Sequence, residues 1–320
     1  MYCTWTATSN LCVIRGASPL WTIRACSGRT AILDCINTRH FRKCVLVAAA
    51  IVMLTGCCDT AEDFPTEILA GTSLIADIVA DLTDASVSTY TLLPSSSCPS
   101  QFDMKAGDIK RLQQAGLILL HPWQLQLANI TRSLDAAKAP GNRVRVVEVP
   151  GNWMLPEAQT AAVTALAAIV SDLHPDKQHV FHERAEARRK AIMETAARAR
   201  GIIPEAAAAN HVTLCNEMQA PFVQWLGFDV ADTYARPEDW SVAEAERLVA
   251  LGKERGATLI IDNLQSGGLR MSATLARDIG AVNVVLSNFP NGFPGTPTWE
   301  AAFMENINRV KEALARIPTP

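Results

Sequence analysis

The chain has 320 residues, 49% of them hydrophobic and 6% aromatic, which is apolar material for two packed lobes rather than one small core. Its 29 Lys and Arg against 32 Asp and Glu give a formal net charge of -3, with the two signs interspersed and no basic stripe, so no nucleic acid is expected as a partner. Of nine cysteines, seven precede residue 60, which is neither the evenly spread framework of a disulfide-stapled scaffold nor zinc-finger spacing.

The first legible segment is a leader. Arg39, Arg42 and Lys43 form a basic head, and Val45 to Leu54 an apolar run too short to span a bilayer. Leu54, Thr55, Gly56 and Cys57 follow and resemble the bacterial lipobox, whose cysteine is lipidated and becomes the first mature residue. Residues 1–56 are therefore expected to be signal peptide and upstream extension, and residues 57–65 a lipid-anchored tether. The mature chain is expected on the periplasmic or cell-surface face of the membrane.

From Glu67 onward, apolar runs alternate with helical patterns. Strands are predicted at Glu67 to Ala70, Val87 to Leu93, Leu117 to His121 and Val144 to Val149. Leu74, Ile75, Ile78, Val79 and Leu82 show helical period between the first two. The alternation predicts a parallel sheet with crossover helices over residues 66–155. It resumes over residues 205–320, with strands at His211 to Leu214, Asp229 to Tyr234, Thr258 to Asp262 and Val282 to Leu286. Between the lobes, residues 156–204 hold connecting helices. Pro156 to Asp172 and Pro175 to Arg200 are rich in Ala, Glu, Arg and Lys and lack glycine, and the second would run ~36 Å at 1.5 Å per residue. The expected fold class is α/β: two Rossmann-like lobes with parallel sheets, joined by a long rigid connecting helix.

In open α/β sheets, ligands bind beyond the carboxyl ends of the strands. The residues expected there include Ser73, Cys98, His121, Trp123, Asn152, Trp153, Asn216, Glu217, Asn263 and Ser287. Among them Cys98, His121 and Glu217, with Cys215, offer thiolate, imidazole and carboxylate donors for a four-coordinate soft-metal site. The plain readings stand beside this one. Cys98 and Cys215 are inert small hydrophobes or a disulfide across the lobes, Trp123 and Trp153 are core, and His179 and His182 lie on a solvated helix face.

Several spacings carry a resemblance. Thr72 and Ser73 precede a helix; Cys98, Pro99 and Ser100 precede Gly107, Asp108 and Ile109; Pro150 to Pro156 surrounds Trp153; Asn216 and Glu217 precede Phe222 and Leu226-Gly227-Phe228; Leu286, Ser287 and Asn288 end a strand. This pattern resembles the zinc/manganese-type (cluster A-I) substrate-binding lipoproteins of ABC importers, and covers nearly all of the chain after the leader. The chain is a divergent member in that comparison, since Ser100, Gly151, Asn216 and Ser287 stand where the family has three histidines and an aspartate.

The resemblance implies a monomeric, non-enzymatic binding component that captures a metal ion, such as zinc or manganese, or a metal chelate in the interlobe cleft. It implies delivery to permease and ATPase subunits. A cleft enzyme of chelatase-like architecture and a surface adhesin remain the alternatives. No Gly-x-Ser-x-Gly elbow, phosphate loop or full dinucleotide fingerprint supports the enzyme.

Overall fold

The computed structural model describes residues 67–236 and 239–318, together with the backbone of a short antiparallel pair, Cys3–Thr4 and Val13–Ile14. The chain divides into two compact units, residues 1–63 and 64–320. The expected leader and Cys57 lie outside the described residues.

The second unit opens with β1 (Ile68–Ala70), α1 (Ser73–Thr83), β2 (Thr89–Thr91), α2 (Ala106–Gln114), β3 (Leu117–Leu120), α3 (Ala128–Ala136) and β4 (Val144–Val146). All pairings are parallel, in the order β2-β1-β3-β4. Two helices follow, α4 (Pro156–Leu173) and α5 (Gln178–Ile202). Pro156 opens α4 in the first turn, where its missing N–H costs nothing. Pro175 opens a 3-10 turn instead, so α5 starts three residues later than expected. With 25 residues, α5 runs about 37 Å.

The second sheet is built from β5 (Val212–Asn216), β6 (Asp229–Tyr234), β7 (Leu259–Asn263) and β8 (Val282–Leu286). Its order is β8-β7-β5-β6, again all parallel. The helices of this lobe are α6 (Glu205–Ala208), α7 (Ala220–Trp225), α8 (Val242–Glu254), α9 (Leu269–Ile279) and α10 (Trp299–Leu314). The expected fold class, two parallel α/β lobes with a long connecting helix, is therefore what the chain forms.

Strand alternation divides the core into three. Ile68, Ala70, Leu117 and Leu119 face a central core, while Leu69, Ile118 and Leu120 face a separate cluster behind the first sheet. In the second lobe Leu259 and Ile261 face the central core and Ile260 a third cluster. Strands buried on both faces read as unbroken apolar runs, which is why they are legible in the sequence. The central core continues through α1, α4, α5 and α10, with Trp153, Phe181, Phe222, Trp299 and Phe303 inside it.

One ion cluster ties this packing together. Arg188 of α5 is buried and pairs with Asp77 and Asp81 of α1 and Glu300 of α10. Asp77 also accepts the Trp299 backbone N–H at 3.0 Å, so both lobes' helices converge on one guanidinium.

Candidate functional site

The carboxyl ends of β1–β4 and β5–β8 converge, and the groups that meet there are hydroxyls and amides. Ser73 Oγ, at the first turn of α1, donates across the lobes to Pro290 O at 2.8 Å, and accepts from Ser95 Oγ at 2.9 Å. Gln265 Nε2, after β7, donates to Ser95 O at 2.6 Å and to Ser287 Oγ at 3.0 Å, while its Oε1 accepts from Asn288 N at 3.1 Å. Asn152 Nδ2, after β4, donates to Asn288 Oδ1 and Met218 O, both at 3.0 Å. Arg236 Nη1 donates to Ser100 Oγ at 3.0 Å.

Further amides extend the network inside the second lobe. Gln219 Nε2 donates to Asn263 Oδ1 at 3.1 Å and Asn288 Oδ1 at 3.2 Å. Asn216 Oδ1 accepts from Met218 N at 3.0 Å. Asn216 Nδ2 and Gln219 Oε1 are buried and have no protein partner, leaving an amide NH2 and an amide oxygen unpaired inside the second lobe. A buried polar atom of this kind costs stability unless something else pairs with it.

Close backbone approach shapes both walls. A Cβ at Gly71 would collide with the Gln124 amide, whose Nε2 donates to Gly71 O at 3.2 Å and whose Oε1 accepts from His121 N at 2.9 Å. Only glycine leaves room there. Likewise a Cβ at Gly292 would strike Ser287 Oγ, which the turn through Phe289 already encloses.

Of the expected ligand-binding residues, Ser73, Asn152, Asn216, Asn263 and Ser287 lie in this network, and Cys98 and Ser100 lie beside it with Sγ and Oγ 3.2 Å apart. His121 and the tryptophans form a separate stack. His121 Nε2 shares a 2.8 Å hydrogen bond with Thr72 Oγ1, and its ring meets Trp153 edge-on at 4.2 Å and Trp123 face-on at 5.5 Å. Trp153 is buried in the core with its indole N–H on Val149 O.

The four-donor metal site of Cys98, His121, Cys215 and Glu217 does not assemble. Among the described residues no three His, Cys, Asp or Glu side chains converge as a metal site. Strand β5 runs to Asn216, past the Leu214 end expected from its apolar run, so Cys215 points into the central core. Burial, reinforced by Asp232, pushes its thiol up to about 12, the wrong direction for a thiolate ligand or nucleophile. Burial holds the His121 imidazole down to about 3, so it is neutral at any ordinary pH. Glu217 is exposed. Cys98 and Cys215 are both free thiols.

Sequence reasoning missed Ser95 and Gln219, which contribute to the network. Gln219 sits at the opening of α7, three residues past a strand, and a single amide in a helix start carries no pattern. Ser100, Gly151, Asn216 and Ser287, the positions expected from the resemblance to hold ligands, supply no charged donor, and neutral hydroxyls and amides are poor partners for a dehydrated transition-metal ion.

Comparison with known proteins agrees with the architecture. A Mn-bound periplasmic metal-binding protein from Candidatus Liberibacter asiaticus superposes with a TM-score of 0.64 at 14% identity, covering 77% of this chain and 98% of that one. The substrate-binding protein FpvC from P. aeruginosa, in complex with Ni2+, gives 0.66 at 17% identity, covering 79% and 98%. The periplasmic zinc-binding protein TroA from Treponema pallidum gives 0.65 at 20% identity, covering 78% and 99%. At these identities the likeness is one of fold. No curated protein matches the sequence. Residues 68–313, most of the chain, match the family described as ZnuA, zinc-uptake complex component A, periplasmic. That family is one of solute-binding proteins of metal transport, not of enzymes. The chain belongs to the ZnuA family of periplasmic metal-transport binding proteins.

Proposed function

We propose that the chain is the extracytoplasmic solute-binding component of a metal-type ABC importer, capturing a metal ion or metal chelate between its lobes and delivering it to a permease and its ATPase. The observation that carries this reading is the set of cross-lobe hydrogen bonds from Ser73, Asn152 and Gln265, which lie at the strand ends where the family holds its cargo. The orphaned Asn216 Nδ2 and Gln219 Oε1 support it, because unpaired buried amide groups at a strand end are stabilised by a bound polar partner. The neutral donor set favours a cargo that carries its own ligands over a bare ion.

A lipid at Cys57 would hold the monomer at the membrane surface. Among the described residues no helix is long and apolar enough to cross a membrane.

Uptake of radiolabelled zinc and manganese, supplied bare and as organic chelates, tests the role in cells with and without the chain. Loss of uptake of at least one form in cells lacking the chain is the expected result, and unchanged uptake of every form contradicts it. Co-purification with a polytopic permease supports the partner assignment, and its failure under cross-linking opposes it.

A further inference from the structure

One cavity is not accounted for by the network above. It has a volume of about 540 Å³ and lies between the end of β2 and the start of α2, with Ser73, Tyr90, Ser95, Lys105, Arg111 and Asn291 in its wall. Asn291 comes from the second lobe, and Ser73 and Ser95 belong to the cross-lobe network, so the cavity is continuous with the cleft. Its size suits an organic molecule, roughly 300–1,000 Å³ being usual for such sites, and far exceeds a dehydrated cation.

The charge of the wall has a definite sign. Asp108 lines it too, but is buried and already engaged: Oδ1 accepts from Tyr90 Oη and Oδ2 from Lys105 N, both at 3.0 Å. Arg111 lies over the Tyr90 ring, its Cζ 4.2 Å from the centroid and its Nη1 4.0 Å from Asp108 Oδ1, which places the guanidinium at the cavity edge. Lys105 forms no ion pair among the described residues. Two cations therefore face one committed carboxylate. The start of α1 adds positive potential, since Thr72 Oγ1 is turned to His121 instead of capping the helix and its first turn holds no acidic residue.

We propose that this cavity holds a carboxylate-bearing organic solute, either free or as the chelating shell of a metal ion, with Lys105 and Arg111 pairing its carboxylates and the Asn291 amide a remaining oxygen. The inference rests on the reading of the chain as a cargo-binding component, and narrows that cargo to an anionic one. Arg111 supplies the planar, directional contact and Lys105 the mobile point charge.

Equilibrium dialysis of the full chain tests this with three probes: citrate, zinc citrate with zinc and citrate counted separately, and zinc chloride alone. Binding of citrate in either form is expected, with zinc chloride weaker than the better of them. Binding of citrate with or without zinc identifies a free organic solute, and binding only of the pair identifies a chelate. Lys105→Gln is expected to weaken citrate binding about tenfold, the value of one charge-assisted contact, with the melting temperature unchanged because the side chain is exposed. Arg111→Lys is expected to weaken it as well, by losing the planar fork. Binding of zinc chloride at full strength in both variants with no citrate retained overturns the inference, as does absence of any citrate binding. Neither result touches the transport role, which the uptake measurement tests separately; citrate binding without any effect of the chain on uptake overturns that role and leaves the site standing.

Discussion

His121 shows how one residue changes meaning between sequence and structure. At the end of an apolar strand it reads as a candidate ligand; in the fold it is a neutral ring between Trp123 and Trp153, bonded to Thr72. Its pKa is lowered from 6.5 to about 3 by burial, whereas in the unfolded chain it takes a proton near pH 6.5. The unfolded state thus binds more protons between those values, so stability is complete above about pH 6.5 and is lost as pH falls toward 3. Thermal melts across that range are expected to show a steeper acid loss in the native chain than in His121→Phe, which keeps a ring but cannot titrate. Equal slopes would contradict the assignment. Gln265 is the second test at this scale. Gln265→Ala removes two donor contacts and leaves Asn288 N without its acceptor, for an expected cost of about 1–3 kcal/mol in chemical denaturation.

At the scale of elements, most of the architecture is legible because parallel strands buried on both faces leave unbroken β-branched and leucine runs, as in Leu117–Leu120 and in residues 259–261. The strand-end rule also locates Ser73, Asn152, Asn263 and Ser287. It fails for Cys215 because a strand one or two residues longer than its apolar run turns a presumed loop residue into a core residue. The buried ion cluster has no signal, since Asp77, Arg188 and Glu300 are distant in sequence and each sits on a helix rich in similar charges. Burial raises the Asp77 carboxyl to about 6, against the pull of Arg188, so the carboxylate is largely ionised at neutral pH. Arg188→Leu would leave the buried Asp77 carboxylate without its partner, with an expected loss of about 3–5 kcal/mol. A loss below about 1 kcal/mol would show that α5 is held by apolar packing alone.

For the whole molecule, the central core and α5 join the two lobes of residues 64–320 into one compact unit. The family's outline is visible in the spacing of the loops within residues 68–313, while the cargo is not, because the strand ends carry neutral groups whose partners only the fold brings together. If Cys57 carries the lipid, Cys57→Ser is expected to shift the chain from the membrane fraction to the soluble extracytoplasmic fraction; retention at the membrane would contradict the anchor. The most direct test of the binding role is native mass spectrometry of the full chain after loading with metals, chelates and small acids in turn. A retained cargo mass that is lost when Asn152 and Gln265 are both replaced by alanine, in a variant with an unchanged circular dichroism spectrum, is the predicted result; no retained mass under any loading, or one indifferent to that double substitution, would contradict it.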